Sequence, residues 1–194
     1  MSYERNAAVG TARVTGRTRE ELDRQVFSAF QKHKFGQFDE AFAVYSDVLR
    51  AMPTHEDALH YMGLLAQQSG KPEDAVKLIQ RSLELKRENP DALNHLGQVY
   101  ISLNDYQTAE QCFRQALVYN PNHFHAVNNL ANCFKHGGNL ETALIHYQRA
   151  LAIEPRNPIS AFNLGSTFNA LGRHWDAVEW LTQATQLERG NYIA

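Results

Sequence analysis

Apolar residues fall into short stripes with a helical period. Leu93, Leu96, Gly97 and Tyr100 stand at i, i+3, i+4 and i+7, and Val127, Leu130, Ala131 and Phe134 repeat that spacing 34 residues later. Such a stripe marks an amphipathic helix with one buried face. A second stripe follows in Ala109, Phe113, Ala116 and Leu117. Between the two lies a turn signal that recurs along the chain. Gly36, Gly70, Asn104, Gly138 and Gly172 are each 34 residues apart, and Ala41, Ala75, Ala109, Ala143 and Ala177 follow them at a fixed offset of five. With 11 glycines in 194 residues, chance does not produce this register. Asn104, the one substitution, is the residue type that best replaces glycine in a left-handed turn. Each unit is therefore predicted to be a helix, a tight turn and a second helix.

Helix starts and stops place the unit boundaries. Thr18-Arg19-Glu20-Glu21 has the form of a capping box. Asn89-Pro90 and Asn157-Pro158 set a capping side chain before a proline at the first helical position. Pro53, Pro121 and Pro155 lie where a second helix must stop. The expected units are 22–55, 56–89, 90–123, 124–157 and 158–191, within an array spanning 18–191. Residues 1–17 read as a flexible N-terminal tail, and 192–194 as a remnant or the start of a further helix.

Composition narrows the function classes. With 19 Lys+Arg against 21 Asp+Glu the net charge is −2, which argues against a nucleic-acid binder. Apolar residues make up 43%, too many for a disordered chain. No apolar run approaches the ~20 residues that span a bilayer, and the N-terminus has no secretion-signal core. Two cysteines, Cys112 and Cys133, do not make a disulfide framework. A cytoplasmic setting is expected.

The 34-residue pattern resembles the tetratricopeptide repeat family. Unit 90–123 carries that pattern throughout in Leu93, Leu96, Gly97, Tyr100, Ala109, Phe113, Ala116 and Pro121. Unit 124–157 follows with Leu130, Ala131, Phe134, Ala143, Tyr147, Ala150 and Pro155. Departures occur at Ala66 and Arg87, at Ala161 and Arg189, and in the first unit at Gln25, Ser28 and Lys32. Atypical ends suit a stacked array. The resemblance implies an all-α fold, a right-handed superhelical α-solenoid of five tetratricopeptide helix-turn-helix repeats.

A stack of this kind curls and leaves a concave face lined by the first helix of each unit. Residues turned away from the apolar stripe should line it. The expected peptide-binding groove comprises Phe30, His60, Tyr61, Leu64, Asn94, His95, Gln98, Asn128, Asn129, Asn132, Lys135, Asn163, Ser166 and Asn169. An amide side chain offers both donors and an acceptor, and so matches a peptide backbone. The N-terminal half would instead take apolar anchors. The same amides can alternatively solvate the face or bond neighbouring helices. The ladder resembles the repeat region of O-linked N-acetylglucosamine transferases at Asn129 and Asn163, with His95 and Tyr61 interrupting it. A carboxylate clamp for chaperone tails needs Lys or Arg where this chain has Asp23, Val26, His60, Asp91, Asn94 and His125.

Other candidate chemistry has simpler readings. His123 and His125 do not share a helix face and have no further ligand at metal spacing, so a surface histidine pair is expected. Cys112 and Cys133 read as buried thiols. Asp39-Glu40 and Glu73-Asp74 suit helix N-termini. No catalytic triad or phosphate loop is present. In 174–188, Trp175, Val178, Trp180, Leu181, Ala184 and Leu187 give more apolar surface than one neighbour covers. The function expected is a non-enzymatic interaction scaffold gripping a protein or peptide segment. It would have no cofactor or metal, no nucleic-acid partner and no membrane insertion. One alternative is the substrate-recognition region of a larger glycosyltransferase, sulfotransferase or methyltransferase. Another is self-assembly into a homo-oligomer through helix 174–188.

Overall fold

The computed structural model describes residues 16–191, with side chains as far as 188. Ten helices run through these residues in pairs: α1 (Arg19–Lys34) and α2 (Phe38–Ala51), α3 (Glu56–Gln68) and α4 (Pro72–Leu85), α5 (Pro90–Ser102) and α6 (Tyr106–Tyr119), α7 (Phe124–His136) and α8 (Leu140–Ile153), α9 (Pro158–Ala170) and α10 (His174–Asn191). The odd-numbered helix of each pair is its A helix and the even-numbered one its B helix. Each B helix packs on its own A helix, α2, α4, α6 and α8 pack also on the A helix that follows, and successive A helices touch from α1 to α9. The result is an all-α superhelical solenoid of two-helix units.

The turn within each pair is set by backbone handedness. Gly36, Gly70, Gly138 and Gly172 have φ between 72° and 78°, and Asn104 takes the same place at 61°. Asparagine is tolerated there because its short polar side chain pays the smallest steric penalty after glycine.

Helix starts obey the expected chemistry and add to it. Thr18 Oγ1 accepts from Glu21 N while the Glu21 carboxylate accepts from Thr18 N, completing the capping box. Asn89 and Asn157 cap α5 and α9 through their side-chain oxygens at 3.0 Å. His55 and His123 occupy the same place in their units and do the same job. Their Nδ1 atoms accept from Ala58 N at 3.3 Å and Ala126 N at 3.1 Å. His123 is thus buried at 8% exposure rather than half of a surface pair, because a cap must sit against the backbone it serves. Its Nε2 meets Asp91 Oδ1 at 2.9 Å.

The chain ends also refine the expectations. Arg17, expected in the tail, is tied to Gln25 Oε1 at 3.1 Å and Asp47 Oδ2 at 2.6 Å. Residues 1–15 and 192–194 lie outside the described residues. Of the apolar set in α10, Ala184 is buried, and Trp180 and Leu187 pack against the last core cluster. Trp175 and Val178 are exposed, and so are Ile159 and Phe162 on α9.

Close packing within a pair depends on a small residue facing a large one. A Cβ at Gly97 would lie 2.5 Å from the Phe113 ring, itself fully buried. Replacing Gly97 with Ala is expected to lower stability by ~1–2 kcal/mol in urea denaturation. The overpacking cost of about 1–3 kcal/mol exceeds the helix-propensity gain of ~1. Adding Phe113→Leu should recover part of the loss, and an additive double variant would disprove the contact.

Candidate functional site

The A helices α1, α3, α5, α7 and α9 form one wall. Their fifth and sixth residues decide how it is lined. The fifth residue of one unit points at the next A helix, so it falls in the seam between helices. Those residues are Val26, His60, Asn94, Asn128 and Phe162. The sixth lies nearer the open face.

This geometry builds a ladder of cross-helix rungs. His60 Nε2 lies 2.7 Å from His95 Nδ1. One unit on, Asn129 Nδ2 donates to Asn94 Oδ1 at 3.0 Å. One further on, Asn128 Oδ1 accepts from Ser160 Oγ at 3.0 Å, which leaves Asn163 without a rung to Asn128. His60, Asn94 and Asn128 were expected to line the groove, yet they are only 2%, 3% and 8% exposed. Their polar atoms join the stack together, since a buried amide or imidazole must be satisfied from within. Among the described residues no helix covers the seam at Phe162, and its ring is exposed.

The remaining expected residues keep partial access. Phe30, Tyr61, Leu64, His95, Gln98, Asn129, Asn132, Lys135, Asn163 and Ser166 are all half-buried. Phe30 stacks on Tyr61 at 4.3 Å between centroids, and Tyr61 on His60 at 4.9 Å, giving the N-terminal part an aromatic surface. His33 and Gln68 bridge α1 and α3 at 2.8 Å. Asn169 stands apart, exposed at the α9–α10 turn with its Oδ1 3.2 Å from His174 Nδ1.

In the C-terminal part, polar atoms are held in fixed orientations. Asn132 Oδ1 accepts from the buried Tyr147 hydroxyl at 2.5 Å, which commits the oxygen and leaves the amide NH2 as donor. Lys135 Nζ donates to Ser166 Oγ at 3.0 Å across α7 and α9, and burial lowers the ammonium below its ordinary value. Asn132, Lys135 and His136 share a hollow with Ile101 and Tyr106. Tyr106 stacks on His136 at 4.4 Å. It comes from the first turn of a B helix, so a reading confined to A helices misses it. The aromatic at that position, shared with Phe38, is the sequence signal that could have found it.

Among the described residues, no group of three or more His, Cys, Asp or Glu side chains is arranged to hold a metal ion. Cys112 and Cys133 are free and buried, and burial pushes both thiols up to about 11. No helix among the described residues is long and apolar enough to cross a membrane.

The His60–His95 rung has an acid-side consequence. Burial holds His60 down to about 3 and His95 to about 4, with Lys86 adding to the shift at His60, His123 and His125 adding to it at His95, and Asp91 opposing it at both. Both rings are therefore neutral in the fold, whereas in the unfolded chain they take protons near 6.5. Their stabilisation is complete above that pH and is lost as pH falls from 6.5 towards 4. The pair His60→Asn and His95→Asn copies the Asn94–Asn129 rung. In urea denaturation it should flatten this acid limb by up to about 1.4 kcal/mol per pH unit per histidine. An unchanged limb would show that other groups carry it.

Comparison with known proteins agrees with this architecture. Residues 96–158 match the tetratricopeptide repeat family model, and residues 35–116 match a model described as anaphase-promoting complex, cyclosome, subunit 3. No curated protein matches the chain. Among solved structures, MamA is 22% identical with a TM-score of 0.73, over 86% of this chain and 97% of that one. The pilF protein of Pseudomonas aeruginosa is 17% identical with a TM-score of 0.80, over 86% and 76%. YrrB, described as a TPR protein with an unusual peptide-binding site, is 20% identical with a TM-score of 0.67, over 89% of each chain. Likeness at these identities speaks to the fold. Its left-handed turns, paired helices and 34-residue register are those of tetratricopeptide repeats, whose family model matches residues 96–158.

Proposed function

We propose that the chain is a non-enzymatic protein-interaction scaffold that holds an extended polypeptide segment along the wall of A helices. The observation that carries this reading is the fixed donor at Asn132. With its oxygen committed to Tyr147, the amide presents NH2 beside Lys135, in a hollow bounded by Ile101, Tyr106 and His136. Preoriented donors of this kind suit the carbonyl oxygens of a peptide backbone, which would accept from them with little regard to side chains. Asn163 and Gln98 extend the polar surface, and Phe30 with Tyr61 supplies a place for an apolar anchor.

The rungs guide the choice of variants. Asn129→Ala would strip a partner from buried Asn94 and destabilise the stack, whereas Asn163 makes no such rung and Lys135 bonds only the half-buried Ser166 hydroxyl, which water can serve in its place. The pair Asn163→Ala and Lys135→Ala should leave the circular dichroism spectrum unchanged. It should reduce recovery of wall-bound proteins about tenfold in quantitative pull-downs, the equivalent of ~1.4 kcal/mol. An unchanged set of captured proteins would remove the reading.

A second reading, self-assembly, is favoured by the exposed end of the last unit. Phe162 occupies the seam place that is buried in the four units before it, and Ile159, Val178 and Trp175 are also exposed. Light scattering over a concentration series should show association that Phe162→Glu with Val178→Glu abolishes. A wild-type monomer at every concentration would exclude it.

A further inference from the structure

The eleventh residue of the unit is an aromatic in the last three units, Tyr100, Phe134 and Phe168, but Ala66 in the second. What that ring does is visible in units three and four. The Tyr100 hydroxyl accepts from Gln80 Nε2 of the preceding B helix at 3.0 Å, and its ring packs on the cluster that includes Cys112 of its own B helix. Phe134 lies under the Arg114 guanidinium of the preceding B helix at 5.5 Å and stacks on His146 of its own at 5.2 Å. In both cases one ring fills the gap between consecutive B helices, on the side of the solenoid away from the A-helix wall.

At Ala66 the same gap is open. The residues equivalent to Gln80 and Cys112 are Ser46 and Leu78, and both line a hollow of about 600 Å³. Two shortenings coincide there: alanine for the aromatic, and serine for the long side chain that covers it. Phe42, Leu49, Met62, Leu65 and Leu78 give the hollow apolar walls. Lys71 and Lys77 stand at the rim, with Asp74 3.6 Å from Lys77. Lys71 has no ion pair among the described residues.

We propose that this hollow on the B-helix side is a docking site for an aromatic side chain of a partner polypeptide, presented with an acidic residue beside it. The ring would take the place that Tyr100 and Phe134 fill in the next two units, so the repeat itself shows the shape and chemistry of the occupant. The carboxylate would meet Lys71 and Lys77. A buried aromatic supplies about 150–250 Å² of contact. The site is separate from the A-helix wall and stands whether or not the wall binds peptide.

The probe is the blocked pentapeptide acetyl-Gly-Phe-Glu-Gly-Gly-amide, titrated into 15N-labelled protein and followed by NMR. Saturable shifts are expected at Met62, Leu65, Ala66 and Leu78, at least tenfold weaker for the analogue with Ala in place of Phe. Ala66→Phe, which restores the residue type of units four and five, should abolish them. Ser46→Gln, which restores the cover seen at Gln80, should weaken them and serves if the first variant fails to fold. Lys71→Ser with Lys77→Ser should weaken binding three- to tenfold. Equal shifts from both peptides, or shifts that survive Ala66→Phe, would overturn the proposal. So would concentration-dependent shifts at these residues without peptide, which would assign the hollow to a second copy of the chain.

Discussion

The approach of the two helices within a unit governs everything built upon it. Gly97 lets the α5 backbone come down onto the Phe113 ring, and Gly63 and Gly165 do the same over Ile79 and Leu181. That contact fixes the pair as a rigid body, and the left-handed residue between the helices fixes their crossing. Repetition of a rigid pair at a constant offset is sufficient to curl the chain. The wall of A helices therefore follows from a steric constraint in the core, with no requirement that its surface residues favour any curvature.

The seam between A helices solves a second problem. A B helix covers A helices with apolar side chains, whereas the A-to-A contact is narrower. This chain fills it with aromatic rings at one end and hydrogen-bonded side chains thereafter: Phe30 on Tyr61, His60 with His95, Asn94 with Asn129, Asn128 with Ser160. Polar rungs bury amides at little net cost while specifying register, because each is satisfied only when units sit at the right offset. The asparagines of the ladder thus divide into those that hold the stack and those, such as Asn132 and Asn163, left facing outwards.

Much of the architecture was legible because it repeats. The stripe at Leu93, Leu96, Gly97 and Tyr100, the turn at Asn104 and the capping box at Thr18 are local patterns whose meaning does not depend on distant neighbours. The lining was harder. Helical spacing turns residue 94 away from its own B helix, but whether it meets solvent or the next A helix depends on an inter-unit angle that one helix does not encode. His55 and His123 were open to a positional argument, since they stand where Asn89 and Asn157 cap their helices. Imidazole is an uncommon cap, and residue type misdirected the reading. Ala66 was visible as a departure from the pattern. Its consequence required Ser46 and Leu78 as well, which are far from it in the chain.

The cap shared between units carries a different implication. His55, Asn89, His123 and Asn157 each close one unit and start the next, so no spacer separates neighbouring units. A single residue gained or lost at such a junction would misplace both the cap and the rung that crosses it, while units further along keep their own contacts. Duplication or excision of complete 34-residue hairpins leaves every junction intact, which makes it the accessible route by which a chain of this kind becomes longer or shorter.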